Sequence, residues 1–293
     1  METLERTGRS VVRVLITGSN GQLGCELVEV FEKPGHHDVI ATDRSTLDVT
    51  NRDAALGVIT SLTPDVIVHA AAWTAVDACE ADLERAFLAN AMSSRFICDG
   101  ARTVGARVVY VSTDYVFDGS KDGAYTEWDE PNPQSAYGKS KLGGERETGD
   151  GDTIVRTSWV FGRYGQNMVK TILRLAADHP ELAFVDDQHG KPTCAQDLAG
   201  AIYQLVVGRH PGIFHVTNEN PTTWYEFARS VLLVAGQNPD RVRPIHTAEM
   251  VPPRPAPRPA NSVLDNGALR FSGLPALADH REALERVVKD LLQ

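Results

Sequence analysis

Two short motifs in this chain carry residue types that suit redox chemistry on a carbonyl. Tyr137-Gly138-Lys139-Ser140-Lys141 sets a phenol and an ammonium four residues apart, a spacing that puts both on one face of a helix. A phenol with the ordinary pKa of about 10 is a poor acid–base group at neutral pH unless a cation favours its ionised form, and Lys141 is placed to do that. Tyr137 then hands a proton to a carbonyl oxygen that is becoming an alkoxide, while Lys141 also holds a cofactor ribose. About 120 residues earlier, Thr17-Gly18-Ser19-Asn20-Gly21-Gln22-Leu23-Gly24 forms a glycine-rich turn of the kind that lets a backbone approach a pyrophosphate. Between them lies Ser112-Thr113-Asp114. Thr113 is the choice for a second hydrogen bond to the substrate oxygen, and Asp114 reads equally as a substrate contact or a loop cap. Either main motif alone has a plain structural reading, a tight turn or a surface Tyr/Lys pair, so the elements around them decide.

Residues 11–16 read as a β-branched strand, and residues 22–31 as a helix whose apolar positions are Leu23, Leu27, Val28 and Phe31. Strand, glycine turn and helix therefore follow in the order that offers free N–H groups and a positive dipole end to a pyrophosphate. Further strands are predicted over 38–43, 64–69 and 106–111, each separated by a helical stretch. Short apolar strands with helical crossovers imply a parallel sheet covered on both faces: an α/β, Rossmann-like, doubly wound fold. The dinucleotide-binding part is assigned to 11–157. Residues 158–293, with longer loops, form a smaller C-terminal cap, although 212–216 reads as a strand able to return to the main sheet. Residues 1–10 read as a flexible tail without the apolar core of a signal peptide. The proline-rich run 252–259 reads as a rigid loop within the fold in preference to a linker or a polyproline ligand.

The second strand ends in Asp43, where an acid accepts from both ribose hydroxyls and favours NADH. The adjacent Arg44 would pair with a 2′-phosphate, stack on adenine, or simply be solvated, so NADPH and NADH both stay open. At 293 residues and a formal charge of -10, the chain is long enough for a full core and too acidic for general nucleic-acid or membrane-surface binding. Its four cysteines lack metal or disulfide spacing, which fits a reducing cytoplasm.

These motifs resemble the extended short-chain dehydrogenase/reductases and, within them, the dTDP-4-dehydrorhamnose reductase family. The likeness runs over nearly the whole chain. It is carried by 17–24, Leu47-Asp48-Val49-Thr50, 69–77, 112–119 and 137–141, and continues in Arg156-Thr157-Ser158-Trp159-Val160-Phe161-Gly162, 187–193 and 258–262. The resemblance implies dinucleotide contacts at Gly18, Asn20, Gly21, Gln22, Leu23, Gly24, Asp43, Arg44, Asp48, Val49, Ala70, Ala71, Ala72, Tyr137 and Lys141. It implies a sugar site at Thr113, Asp114, Tyr137 and Trp159, with Arg258 on the substrate diphosphate or else in a loop salt bridge. Thr113, Tyr137 and Lys141 would be the catalytic set. The implied substrate is a dTDP-linked 4-keto-6-deoxyhexose reduced at carbon 4 to dTDP-L-rhamnose, by a monomer or homodimer, with a pathway epimerase as a possible partner.

Some members of that family dimerise through magnesium. Glu26 matches one acidic position, but Gln196 stands where another carboxylate is expected, so no metal site is predicted. His69 replaces an expected asparagine and reads as a buried, satisfied histidine. A sugar-nucleotide dehydratase would carry an acidic pair after the threonine, whereas Tyr115 follows Asp114 here. The second-half motifs favour the reductase over an epimerase. Reductases for related dTDP-keto sugars, such as the one leading to dihydrostreptose, stay open, as does a non-catalytic regulatory subunit of the methionine adenosyltransferase type.

Overall fold

A computed structural model describes residues 11–33, 35 and 37–293, so the expected tail over 1–10 lies outside the described residues. Six parallel strands form the main sheet: β1 (Arg13–Thr17), β2 (Asp38–Thr42), β3 (Val66–His69), β4 (Arg107–Thr113), β5 (Thr153–Thr157) and β6 (Gly212–His215). Their spatial order is β2-β1-β3-β4-β5-β6. The last strand is the segment 212–216 expected to return: Phe214 pairs with Val155 and His215 with Arg156.

Both faces of this sheet are covered, which explains why its strands are continuously apolar. Side chains alternate between faces. Val14, Ile16, Val66 and Val68 pack with Leu27 and Phe31 of helix Gln22–Glu32 and with Leu198 and Ile202 of helix Ala195–Gly208. Leu15, Ile67, Val108 and Tyr110 point the other way, onto Ile59 of helix Arg52–Leu62 and Ile97 of helix Ser93–Val104. From β1 the chain goes to β2 on one side and returns as β3 on the other. Thr17 and His69, the last residues of β1 and β3, are register partners. Their carboxyl ends therefore frame the switch point where open α/β sheets bind ligands.

The second core belongs to the cap. Helices Met168–Asp178, Trp224–Val234 and His280–Leu292 bring Val169, Ile172, Phe227, Val231, Leu284 and Val288 together with Leu182 and Val242. The latter two sit on a parallel pair formed by Leu182–Val185 and Val242–Ile245. The proline-rich run is pinned as a loop across the first half. Arg258 makes a bidentate pair with Asp77, Nη1 to Oδ1 at 2.9 Å and Nη2 to Oδ2 at 2.8 Å, and Arg254 Nη1 reaches Oδ2 at 3.2 Å. Beyond it, Val263 and Asp265 bracket Tyr125 through backbone hydrogen bonds of 2.7 Å. Among the described residues no helix is long and apolar enough to cross a membrane.

Candidate active site

Two cavities open along the carboxyl ends of the strands. One, of about 770 Å³, is lined by Asn20, Asp43, Arg44, Asp48, Val49 and Ala71, among others. The other, of about 650 Å³, is lined by Gln22, Leu23, Gly24, Thr113, Asp114, Tyr137, Lys141, Trp159 and Trp224, among others. Gly18, Gly21, Ala70 and Ala72 border both, so the two spaces meet at the glycine turn. The sequence explains the geometry of that turn. Gly18 has φ of 71°, and a Cβ on it would lie 2.8 Å from the Ala71 nitrogen. On Gly24 a Cβ would lie 2.1 Å from the Gly18 carbonyl oxygen, so only glycine lets the helix start this close to β1. The helix presents its amino end to the shared border with no side chain capping it.

Asp43 sits where the second strand ends, but its carboxylate is already engaged. Oδ1 accepts from Ser45 N (2.9 Å), Ser45 Oγ (2.7 Å) and Thr46 N (3.2 Å), and Oδ2 accepts from Asn20 Nδ2. These donors, Ser45 first, hold its pKa below the usual carboxylate range. Arg44 is exposed beside it. Asp48 is likewise turned into its own loop, accepting from Thr50 N and Oγ1 at 3.0 and 2.7 Å. The rim of the larger cavity thus offers a guanidinium at 44 and carboxylates that are largely spent on their own turns.

The smaller cavity holds the acid–base groups. Helix Ala136–Glu145 starts at Ser135, whose Oγ accepts from Gly138 N at 3.1 Å, and buries Tyr137, Lys141 and Glu145 on one face toward β4. Tyr137 packs edge-to-face on Tyr115, centroids 5.6 Å apart. Burial pushes its phenol well above the ordinary range, with the Thr113 hydroxyl opposing. Lys141 Nζ donates to the Val111 carbonyl at 2.7 Å and lies 4.1 Å from the Tyr110 ring centroid. Burial pushes its pKa down to about 7, and Glu145 one turn further along opposes the fall. The expectation that Lys141 depresses the Tyr137 pKa is therefore not what this geometry gives: desolvation dominates both groups and drives each toward its neutral form. A protonated phenol is the form a reduction needs, because the proton must still be present when the alkoxide forms.

Asp114 lies against the same space. Its Oδ1 accepts from Thr113 Oγ1 at 2.9 Å, and its buried Oδ2 has no partner among the described residues. Burial pushes this carboxyl up to about 6. Thr113, and not the Asp114 side chain, caps the following turn by accepting from Tyr115 N at 3.2 Å. Ser112 instead donates to Glu145 at 2.5 Å. Arg258 does not line either cavity; its partner is Asp77.

His69 is buried, and its Nδ1 pairs with Thr17 Oγ1 at 2.7 Å, but Nε2 has no partner among the described residues. It is less fully satisfied than expected. Burial and the nearby Lys141 push its pKa down to about 3, which keeps it neutral. The acids considered for magnesium do not suit a hard cation. Glu26 is 4% exposed, and Arg163 occupies both its oxygens, Nε at 3.0 Å and Nη2 at 3.2 Å. A separate group, Asp186, Asp187 and His246, comes within ligand spacing of one another but lines neither cavity.

Three contributors to the site were given no role by the sequence reading. Trp224 stacks on Trp159 from a distant cap helix, with centroids 3.7 Å apart. Glu145 and Arg156 form a bidentate buried pair behind Lys141, at 2.9 and 2.7 Å. Glu145 follows Lys141 by one helical turn, a spacing that is legible in the sequence; the contacts of the two distant partners are not.

Residues 12–293 match the family described as RmlD substrate binding domain. The chain is 41% identical to "dTDP-4-dehydrorhamnose reductase" of Aggregatibacter actinomycetemcomitans, over 87% of this chain and 91% of that one. It is 40% identical to "Probable dTDP-4,6-dihydroxy-2-methyloxan-3-one 4-ketoreductase" of Streptomyces antibioticus, over 96% of each. Among solved structures it is similar to dTDP-4-dehydrorhamnose reductase of Bacillus anthracis in complex with NADP. That likeness has a TM-score of 0.91 and 37% identity, and covers 96% of this chain and 100% of that one.

Proposed function

The chain belongs to the RmlD substrate-binding-domain family, and from that premise we propose that it is an NAD(P)H-dependent reductase acting on carbon 4 of a dTDP-linked 4-keto-6-deoxyhexose, giving dTDP-L-rhamnose. The observation that carries this reading is that Thr113, Tyr137, Lys141 and Trp159 line one cavity that is continuous with the glycine turn. When bound, the reduced nicotinamide supplies the hydride. Gly18, Gly21 and the amino end of helix Gln22–Glu32, with Leu23 and Gly24 in its first turn, would hold the pyrophosphate. Asn20, Asp43, Arg44, Asp48, Val49, Ala70, Ala71 and Ala72 line the path toward the adenosine end. Arg44 suits the 2′-phosphate of NADPH, since Asp43 is occupied by Ser45, Thr46 and Asn20.

Tyr137 holds the substrate oxygen, joined by Thr113 once its hydroxyl turns away from Asp114 Oδ1, and the Tyr137 O–H gives its proton as the alkoxide forms. Lys141, anchored on the Val111 carbonyl, has donors left for a ribose hydroxyl and for the phenolate that results, whose charge in turn favours the protonated ammonium. Asp114 offers its unpartnered oxygen to a sugar hydroxyl, and Trp159 an apolar face to the ring. Arg258 reaches the diphosphate by exchanging Asp77 for it, a carboxylate and a phosphate being alike in their fit to a guanidinium fork. A cytoplasmic setting fits four cysteines that are all free thiols.

A second reading, reduction of a related dTDP-keto sugar, is favoured by the 40% identity to the Streptomyces antibioticus ketoreductase. Oxidation of NADH and NADPH is measured separately with dTDP-6-deoxy-4-keto-glucose, with and without a 3,5-epimerase, and the product sugar is identified. Epimerase-dependent oxidation yielding dTDP-L-rhamnose is expected. Oxidation without the epimerase moves the second reading forward, and no oxidation by a protein that still binds dinucleotide refutes the first and moves a different keto sugar forward.

A further inference from the structure

Trp159 is held in a backbone conformation that a bulky residue rarely adopts, with φ of 48°. Two segments distant in sequence, 189–193 and 222–224, hold it there. Ser158 Oγ donates to the Lys191 carbonyl at 2.7 Å, and Thr193 N donates to the Trp159 carbonyl at 3.2 Å. Gly190 packs so closely that a Cβ there would lie 2.5 Å from the Trp159 ring. Gly190 and His189 in turn form an antiparallel ladder with Thr222 and Thr223, which delivers Trp224 as the first residue of its helix. The two indoles stack 3.7 Å apart at an interplanar angle of 10°. Neither is fully buried, and both line the cavity that holds Thr113, Tyr137 and Lys141.

This arrangement has the form of a clamp. A strained backbone persists only where its surroundings over-determine it, and the Trp159 indole is held between Gly190 and the stacked Trp224 ring. The pair presents a wide apolar wall to the cavity. Its polar capacity is limited to indole N–H donors. Such a wall suits the C–H face and methyl group of a 6-deoxyhexose and leaves a 6-hydroxyl without an acceptor.

We propose that Trp224 is a positioning and specificity residue for the sugar: it clamps the Trp159 indole so that the stacked pair orients the apolar face of a 6-deoxyhexose against Tyr137. The inference rests on the reductase reading. Removing the stack frees Trp159 to relax, which misplaces the sugar and leaves the dinucleotide cradle untouched.

The test compares wild type with Trp224→Leu and Trp224→Phe, using the keto sugar, NADPH and the product dTDP-L-rhamnose. Trp224→Leu is expected to lower kcat/KM for the keto sugar by roughly 10- to 100-fold, chiefly through KM, while the Kd for NADPH changes less than twofold. Trp224→Phe, which keeps an aromatic face, is expected to recover most of that loss. The wild type is also expected to show an exciton couplet in circular dichroism from the stacked indoles, perturbed by the product and lost in Trp224→Leu. Unchanged kcat/KM in Trp224→Leu overturns the proposal, as does a parallel loss of NADPH affinity, which would mark a general structural role. Should Trp224→Leu fail to fold, the wild-type couplet and the Trp224→Phe kinetics decide: no couplet, or no recovery by phenylalanine, overturns it. Wild type inactive on the keto sugar refutes the reductase reading and the clamp with it, whereas active wild type with insensitive variants refutes the clamp alone.

Discussion

Arg156→Met should destabilise this protein severely, and Glu145→Leu on top of it should restore most of the loss. Arg156 and Glu145 are 2% and 5% exposed, on β5 and on the helix that carries Tyr137 and Lys141. Arg156 Nε and Nη2 donate to the two carboxylate oxygens at 2.9 and 2.7 Å, and Ser112 Oγ adds a third donor at 2.5 Å. Truncating the arginine leaves a carboxylate out of water with one neutral donor, and breaking a buried pair this way costs about 3–5 kcal/mol. That is roughly a 10²- to 10⁴-fold loss in the folding constant. Replacing both partners by apolar groups removes the stranded charge, so the double variant should return to within about 2 kcal/mol of wild type. Urea denaturation followed by far-ultraviolet circular dichroism reads these differences from midpoints at constant slope. Two single variants each costing less than about 1 kcal/mol, or losses that simply add in the double variant, would refute the idea that the pair is a coupled buried unit.

Other perturbations test neighbouring parts of the site. Burial raises the Asp114 pKa from the ordinary 3.8 to about 6, so the folded state binds the extra proton between those values and stability falls as pH rises through that window. Asp114→Asn should therefore stabilise the protein more at pH 7.5 than at pH 4, by about 3 kcal/mol, measured by urea denaturation at the two pH values; equal effects would contradict it. His69 is neutral when folded, with a pKa lowered from 6.5 to about 3, so its contribution is intact above about pH 6.5 and is lost as pH falls toward 3. His69→Asn should flatten the fall in stability between pH 6 and 4 by about 1.4 kcal/mol per pH unit, and an unchanged slope would show that this histidine does protonate in the fold. Gly24→Ala should weaken NADPH binding at least tenfold in a fluorescence titration, because its Cβ would meet the Gly18 carbonyl oxygen at 2.1 Å. Gly57→Ala, where a Cβ meets nothing within 4 Å in the middle of a helix, should leave binding alone and add about 0.5–1 kcal/mol of stability.

The sheet was readable because its evidence is local. Runs such as Val66-Ile67-Val68 are apolar on both faces, a pattern that parallel strands under two helical layers require. The glycine turn was readable for the same reason, since the crowding at Gly18 and Gly24 acts over a few residues. Tyr137 and Lys141 share a helix face, so periodicity sufficed to pair them. What periodicity could not give was the sign of their environment. The two pKa directions depend on how deeply the helix is buried against β4 and on Glu145, and desolvation there outweighs their mutual influence. The Asp43 carboxylate illustrates another limit: its place at a strand end was legible, but its capture by Asn20, Ser45 and Thr46 is a matter of turn conformation. Trp224 and Arg156 reach the site across 65 and 11 residues of chain from Trp159 and Glu145, through contacts that no local pattern encodes.

Reduction at carbon 4 with Tyr137 as the proton source is the central claim, and isotope transfer tests it most directly. Wild type and Tyr137→Phe are incubated with C4-deuterated NADPH and the epimerised dTDP-4-keto-6-deoxy sugar, and the deuterium in the product is located by nuclear magnetic resonance. Wild type should place one deuterium on carbon 4 of dTDP-L-rhamnose, and Tyr137→Phe should bind the dinucleotide normally yet transfer deuterium at least a hundredfold more slowly. Deuterium at another carbon, or transfer by Tyr137→Phe at the wild-type rate, would contradict the assignment.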